Sequence, residues 1–404
     1  MPASLDGIRV LDLTRVLAGP SCTQILGDLG AEVIKIERPG AGDDSRRFGP
    51  PYLKDGNGHD TGESTYFLSC NRNKRSVTID VAKPEGQELI RRLLAHCDVL
   101  VENFKVGDLS RYGLGYPQLR EIHPRLVYCS ITGFGQTGPY AGRGGYDFLA
   151  QGMGGMMSLT GEPEGRPVRV GIGNADLLTG AYATIGILAA LRHRDVTGRG
   201  QHIDMALLDC QLAWMSYEAV KFMVTGEEPQ RVGNGHPNIM PYNVFEAADG
   251  FLILAIGNDG QFLRFCRFAG VPELAEDERF GTNAARVRHR DILFPIIAEI
   301  IGRHPRRHWL EGLEPLQVPA GPVNSLAEAF GDPQAQARGM AVTVAHPLSP
   351  APLPLVANPV RLSESPPEYR RAPPTLGQHT DEVLTEILEM LPAELAQLRH
   401  KGII

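Results

Sequence analysis

The chain has 404 residues, 42% of them hydrophobic, and a net charge of −7 from 40 Lys and Arg against 47 Asp and Glu. That length allows two domains, and the acidic balance argues against nucleic acid as a partner. The six cysteines stand far apart without a C-x-x-C pair, the N-terminus is neither a signal nor a transit peptide, and no apolar run reaches membrane-spanning length, so a soluble cytoplasmic protein with buried free thiols is expected.

In chain order, residues 8–13 alternate like a strand, Gly19 and Pro20 break the chain, and 21–29 read as a short helix stopped by Gly30. A second strand follows at 32–36. The pattern repeats as helix 84–96, strand 98–101, helix 116–122 and strand 126–131. Such alternation predicts an α/β protein with a large doubly wound, Rossmann-like domain. No G-x-G-x-x-G follows the first strand, so the dinucleotide fingerprint is absent, which argues against a nicotinamide oxidoreductase.

From 225 to 244 glycines and prolines dominate. Beyond them, strand 250–256 and helices 261–269 and 286–302 predict a smaller α+β domain. The expected division is 1–222 completed by 330–404, against 223–329. Residues 347–374 are too rich in proline for regular helix, and a final helix is expected at 380–389. His304 and His308 share a helix face without an H-E-x-x-H pattern, so no metal is expected.

Asp176 stands at the mouth of an apolar, small-residue helix that runs to Leu191. A carboxylate there faces unsatisfied backbone N–H groups and a partial positive charge, which keep it ionised. An ionised carboxylate can attack a thioester carbonyl. Taken alone, Asp176 reads as an N-cap, which is what most Asp residues before a helix are.

Around it lie segments 144–151 (GGYDFLAQ) and 197–205 (TGRGQHIDM). Segments 11–20 (LDLTRVLAGP), 27–40 (GDLGAEVIKIERPG), 71–75 (NRNKR), 101–104 (VENF), 131–139 (ITGFGQTGP) and 376–379 (LGQH) complete the set. In this order, over nearly the whole chain, they resemble the class III coenzyme A transferases (the CaiB/BaiF family). The likeness is strongest to the branch of succinate–hydroxymethylglutarate CoA-transferases and bacterial dicarboxylate relatives.

The resemblance implies a CoA-transferase with no tightly bound cofactor, acyl-CoA and carboxylic acids as substrates, succinyl-CoA as donor, and an interlocked homodimer. It implies Asp176 as nucleophile and Tyr146 beside it as oxyanion donor. It places Val16, Ala18, Arg38, Lys74, Arg75, Asn103, Phe104 and Arg111 at CoA; arginines suit its phosphates. The glycine-rich flap of formyl-CoA transferases falls on 233–238 (GNGHPN), implying substrate contacts at Gly233, Gly235 and His236. Those enzymes carry His and Gln where this chain has Arg15 and Leu17, and a guanidinium at Arg15, seconded by Arg169, suits a second carboxylate. The family's racemases have a His where Tyr146 stands, and a phenol with an ordinary pKa near 10 is a poor base at neutral pH. A non-catalytic CoA-binding protein would not need both Asp176 and Tyr146.

Overall fold

The computed structural model describes residues 2–404, in two compact units. The larger comprises Met1–Met156, Arg169–Gly226 and Gln336–Ile404; the smaller comprises Met157–Val168 and Glu227–Ala335. The division drawn from sequence lacks the excursion 157–168. That segment joins the smaller unit through long-range bonds, Gly233 N–H to Gly161 O at 3.1 Å and Arg231 Nε to Glu162 O at 3.1 Å. Local composition cannot announce them.

The strands of the larger unit, in chain order, are β1 (Arg9–Leu13), β2 (Glu32–Glu37), a hairpin of β3 (Tyr52–Lys54) and β4 (Asp60–Ser64), β5 (Lys74–Thr78), β6 (Val99–Glu102), β7 (Val127–Thr132) and β8 (His202–Ala206). Six of them form one parallel sheet ordered β5-β2-β1-β6-β7-β8. The chain leaves β1 in one direction for β2 and β5, and in the other for β6, β7 and β8. The switch point therefore lies between β1 and β6, where open α/β sheets bind ligands beyond the strand C-termini.

Successive side chains point to opposite faces. Leu11, Leu13, Ile34, Ile36, Val77 and Leu100 pack with helices Pro84–Leu94, Tyr116–Ile122 and Thr380–Leu388. Val10, Val33, Val99, Val101 and Val127 pack with helices Ala18–Asp28 and Asn174–Thr197. Burial on both faces explains why these strands read as unbroken apolar runs.

Several expectations are corrected. Gly19 and Pro20 do not break the chain but lie in the first turn of helix Ala18–Asp28. Pro20 there lacks only an N–H that would have no intrahelical partner, and a Cβ on Gly19 would stand 2.3 Å from the Thr14 side chain. Helix Asn174–Thr197 is, against expectation, long and apolar enough to cross a membrane. Its Ala183, Ile187 and Ala190 are instead spent on the core beneath the sheet. A further helix, Pro392–His400, follows the one expected to be last, restarted by Pro392 at its first turn and by Glu394, whose carboxylate accepts the Leu391 N–H.

In the smaller unit β9 (Tyr242–Ala247), β10 (Gly250–Ala255) and β11 (Ala320–Pro322) form an antiparallel sheet packed around Phe262, Phe265 and Trp309. The single helix expected over 286–302 is two, Asn283–Arg288 and Arg290–Gly302. Arg286, fully buried, donates to Met240 O, Phe280 O and Asp259 and so fixes the first of them separately. Within Gln336–Ile404, β12 (Ala341–Val344) and β13 (Leu353–Val356) pair as a hairpin, and 347–374 contains no helix.

Candidate active site

The loops leaving β1, β6 and β7 meet at the switch point. Arg15 and Asn103 clasp each other there, Arg15 N–H to Asn103 Oδ1 at 3.0 Å and Asn103 Nδ2 to Arg15 O at 2.8 Å. Val16, next in line, has a φ of 73°. A β-branched residue in the left-handed region is strained and persists only where its surroundings hold it. Here Asp43 Oδ1 accepts the Val16 N–H at 3.0 Å, and Asp43 Oδ2 pairs with Lys35 Nζ at 2.9 Å, both side chains being fully buried. Lys35 and the bonds from Val16 and Ser45 hold the Asp43 carboxyl well below the usual range, against its burial.

Two adjoining cavities share Arg15, Asp44 and Phe104. One, of about 360 Å³, is lined by Arg38, Arg47 and the ends of β1 and β2. The other, of about 210 Å³, is lined by Val16, Ala18, Asn103, Arg143, Tyr146 and Asp176. The structure therefore brings together Arg15, Val16, Ala18, Arg38, Asn103, Phe104, Tyr146 and Asp176.

The others fall elsewhere. Lys74 is fully buried and spends all three donors on Asp12 Oδ2, Pro20 O and Asn71 Oδ1, at 3.1, 2.9 and 2.9 Å. It has none left for CoA, which corrects the expectation. Arg75, at the start of β5, is held by Glu32, Glu382 and Glu386 at the opposite end of the sheet. Arg111 pairs with Asp108, and Arg169 is exposed with a 3.5 Å bond to Val170 O; neither lines either cavity. In the smaller unit Gly235 and His236 line a separate cavity of about 500 Å³, and Gly233 turns with a φ of 58°.

Asp176 is not the cap of its helix. Asp147 Oδ1 accepts the N–H of Ala175 at 2.8 Å and of Asp176 at 3.3 Å, while Asp147 Oδ2 accepts from Gln151 Nε2 at 2.7 Å. Gln151, fully buried, also accepts the Val170 N–H at 2.9 Å and so ties down the approach to the helix. The Asp176 carboxylate, relieved of capping, faces the cavity with no hydrogen bond among the described residues. Burial and the like charge of Asp147 raise its pKa to about 7. This corrects the expectation of a carboxylate held ionised at the helix mouth: desolvation and the charge of Asp147 both oppose its ionisation.

Tyr146 is 71% exposed, and its hydroxyl has no partner among the described residues. Its position depends on two glycines: a Cβ on Gly145 would stand 2.4 Å from Gly133 Cα, so the two loops touch backbone to backbone. Two neighbours escaped the sequence. Tyr66 feels the charges of Asp176 and Asp147 after desolvation, and its hydroxyl is pushed up to about 12. Glu102, raised to about 7 by burial, accepts the Phe104 N–H at 2.8 Å and holds that ring at the switch point.

The pKa of Asp176 predicts a pH profile. If the ionised carboxylate is the reacting form, kcat/KM falls as pH drops through about 7, roughly tenfold per unit below it. Asp147→Asn retains an oxygen for the cap but removes the like charge, so it moves that limb to lower pH. An unmoved limb in the variant would assign the titration to another group.

The sequence pattern of CoA-transferase family III matches residues 5–380. A succinate–glutarate CoA-transferase of Agrobacterium fabrum is 49% identical, over 95% of this chain and 95% of that protein. The human succinyl-CoA:glutarate CoA-transferase is 42% identical over 99% of this chain and 90% of its own length. Among solved structures, a CaiB/BaiF family protein from Brucella suis superposes with a TM-score of 0.85 at 46% identity, covering 96% of this chain and all of that one.

Proposed function

This chain belongs to CoA-transferase family III, and from that premise we propose that it transfers CoA from succinyl-CoA to a dicarboxylic acid of about glutarate's size, with Asp176 as the covalent relay. The observation that carries the proposal is a carboxylate excused from capping and aimed into a cavity at the switch point of the sheet.

The Asp176 carboxylate attacks the donor thioester carbonyl; the C–S bond breaks and gives an aspartyl–succinyl anhydride and CoA thiolate. The thiolate attacks the Asp176 carbonyl, breaking its bond to succinate and leaving an aspartyl-CoA thioester. The acceptor carboxylate attacks that thioester and expels the thiolate, which takes the acyl group from the new anhydride and restores Asp176. Tyr146 and nearby backbone N–H groups stabilise the oxyanions. Arg38, Val16, Ala18, Asn103 and Phe104 hold CoA, and Arg111 belongs to its rim on the family resemblance alone. Asp44 at 3.1 Å already takes part of the charge of Arg15, which leaves it a secondary contact for the acid.

The enzyme works as a homodimer. Trp214, Val220, Met223 and Val224 are 52%, 57%, 74% and 78% exposed on adjoining helices of the larger unit, an apolar surface of the kind that marks a protein interface. Its six unpaired thiols suit a reducing compartment, the cytoplasm.

A panel of mono- and dicarboxylic acids with succinyl-CoA, read by mass spectrometry of the CoA esters, tests the assignment. Glutarate and its homologues should be converted fastest. A panel in which monocarboxylates lead would sink the substrate assignment while sparing the chemistry at Asp176.

A further inference from the structure

Two cations line the cavity of Asp176 without a carboxylate partner among the described residues, Arg143 and Lys105. Arg143 lines the 210 Å³ cavity with Tyr146 and Asp176. Its guanidinium lies 4.6 Å from the ring centroid of Tyr140 and 5.4 Å from that of Phe134, and those rings meet edge to face at 5.6 Å. Its backbone N–H is bound to Tyr140 O at 2.9 Å, and among the described residues no carboxylate or side-chain hydrogen bond engages the guanidinium. Arg143 is also two residues from Gly145, whose backbone contact with Gly133 locks this loop to the one carrying Phe134.

Aromatic rings take the face of a guanidinium and leave its N–H edge for a planar anion. Every other cation near the site is differently placed. Arg15 is bonded to Asp44, Lys35 is buried against Asp43, Arg38 and Arg47 line the neighbouring cavity, and Lys105, in the same cavity, has no aromatic ring against it among the described residues. The phosphates of CoA are separated from its sulfur by the whole pantetheine arm. The 210 Å³ cavity that Arg143 lines also holds the nucleophile, so the reacting end of the substrate enters it.

We propose that Arg143 binds the carboxylate remote from the reacting carbonyl and so selects dicarboxylic acids over monocarboxylic ones. The proposal rests on the transferase reading above and displaces Arg15 and Arg169 as the main carriers of that selectivity.

The test compares wild type with Arg143→Leu and Arg143→Lys, using succinyl-CoA as donor and glutarate or butyrate as acceptor or competing ligand. Free CoA affinity is measured alongside by calorimetry. Losing one charge-assisted pair should lower the glutarate-to-butyrate specificity ratio about tenfold to a hundredfold in Arg143→Leu. Arg143→Lys should restore part of it. An unchanged ratio, or an equal loss for both acids, overturns the proposal and leaves the transferase reading standing. A matching fall in free CoA affinity would make Arg143 a phosphate contact and overturns it as well. Absence of transfer in the wild type would instead defeat the underlying function.

Discussion

Asp176→Ala abolishes CoA transfer, lowering kcat by more than about a thousandfold, because the variant has no group on which the acyl and CoA intermediates can form. The loss should be specific. The carboxylate makes no hydrogen bond or ion pair among the described residues, and the cap of helix Asn174–Thr197 is supplied by Asp147. The variant should therefore fold normally and still bind free CoA. Stability gives a second check, with its sign fixed by the raised pKa. A carboxyl whose pKa rises on folding is disfavoured in its charged form, so ionised Asp176 costs stability above its folded pKa of about 7. Asp176→Asn should be as stable as wild type at pH 8, or more stable, by thermal denaturation. A clear loss of stability would make Asp176 a structural residue.

The next largest effect is on folding. Asp43→Ala leaves the Lys35 ammonium buried without its partner and removes the acceptor for the Val16 N–H. Breaking one side of a buried pair costs about 3–5 kcal/mol, the lower end applying here because Asp12 and Glu37 still act on the Lys35 charge. The surface pair of Lys54 with Asp60 is more than half exposed on the lysine side and should contribute less than about 1 kcal/mol. Urea denaturation of Asp43→Ala and Lys54→Ala should separate the two by several kcal/mol. The strained loop at Val16 should also relax, raising KM for the CoA thioester in any Asp43→Ala protein that folds. Equal, small losses in both variants would show that the Lys35–Asp43 pair is dispensable.

The parallel sheet was legible because its strands are buried on both faces and hence apolar throughout, and because each is followed by a helix. The charges inside it were not. Asp12 and Lys35 stand opposite each other on β1 and β2, and Lys74 reaches Asp12 from β5, so cations that look solvated one by one are internal partners. Only the register of three strands reveals it, which is why Lys74 was misassigned to CoA. At the site, Asp176 and Tyr146 could be singled out because whole segments around them match a family. The division of labour between Asp147 and Asp176 could not, because it depends on a contact across 29 residues. Arg143 was passed over for a similar reason. Its neighbours in sequence are glycines, and its aromatic support comes from Phe134 and Tyr140 folding back beneath it.

The central claim is that CoA passes through a covalent bond to Asp176. The most direct measurement is acid quenching of the enzyme during turnover with succinyl-CoA, followed by digestion and peptide mass spectrometry. The account predicts a CoA adduct on the peptide containing Asp176, converted to a hydroxamate by added hydroxylamine and absent from Asp176→Asn. An enzyme that turns over rapidly with no adduct at Asp176, or with its adduct on another residue, would contradict it.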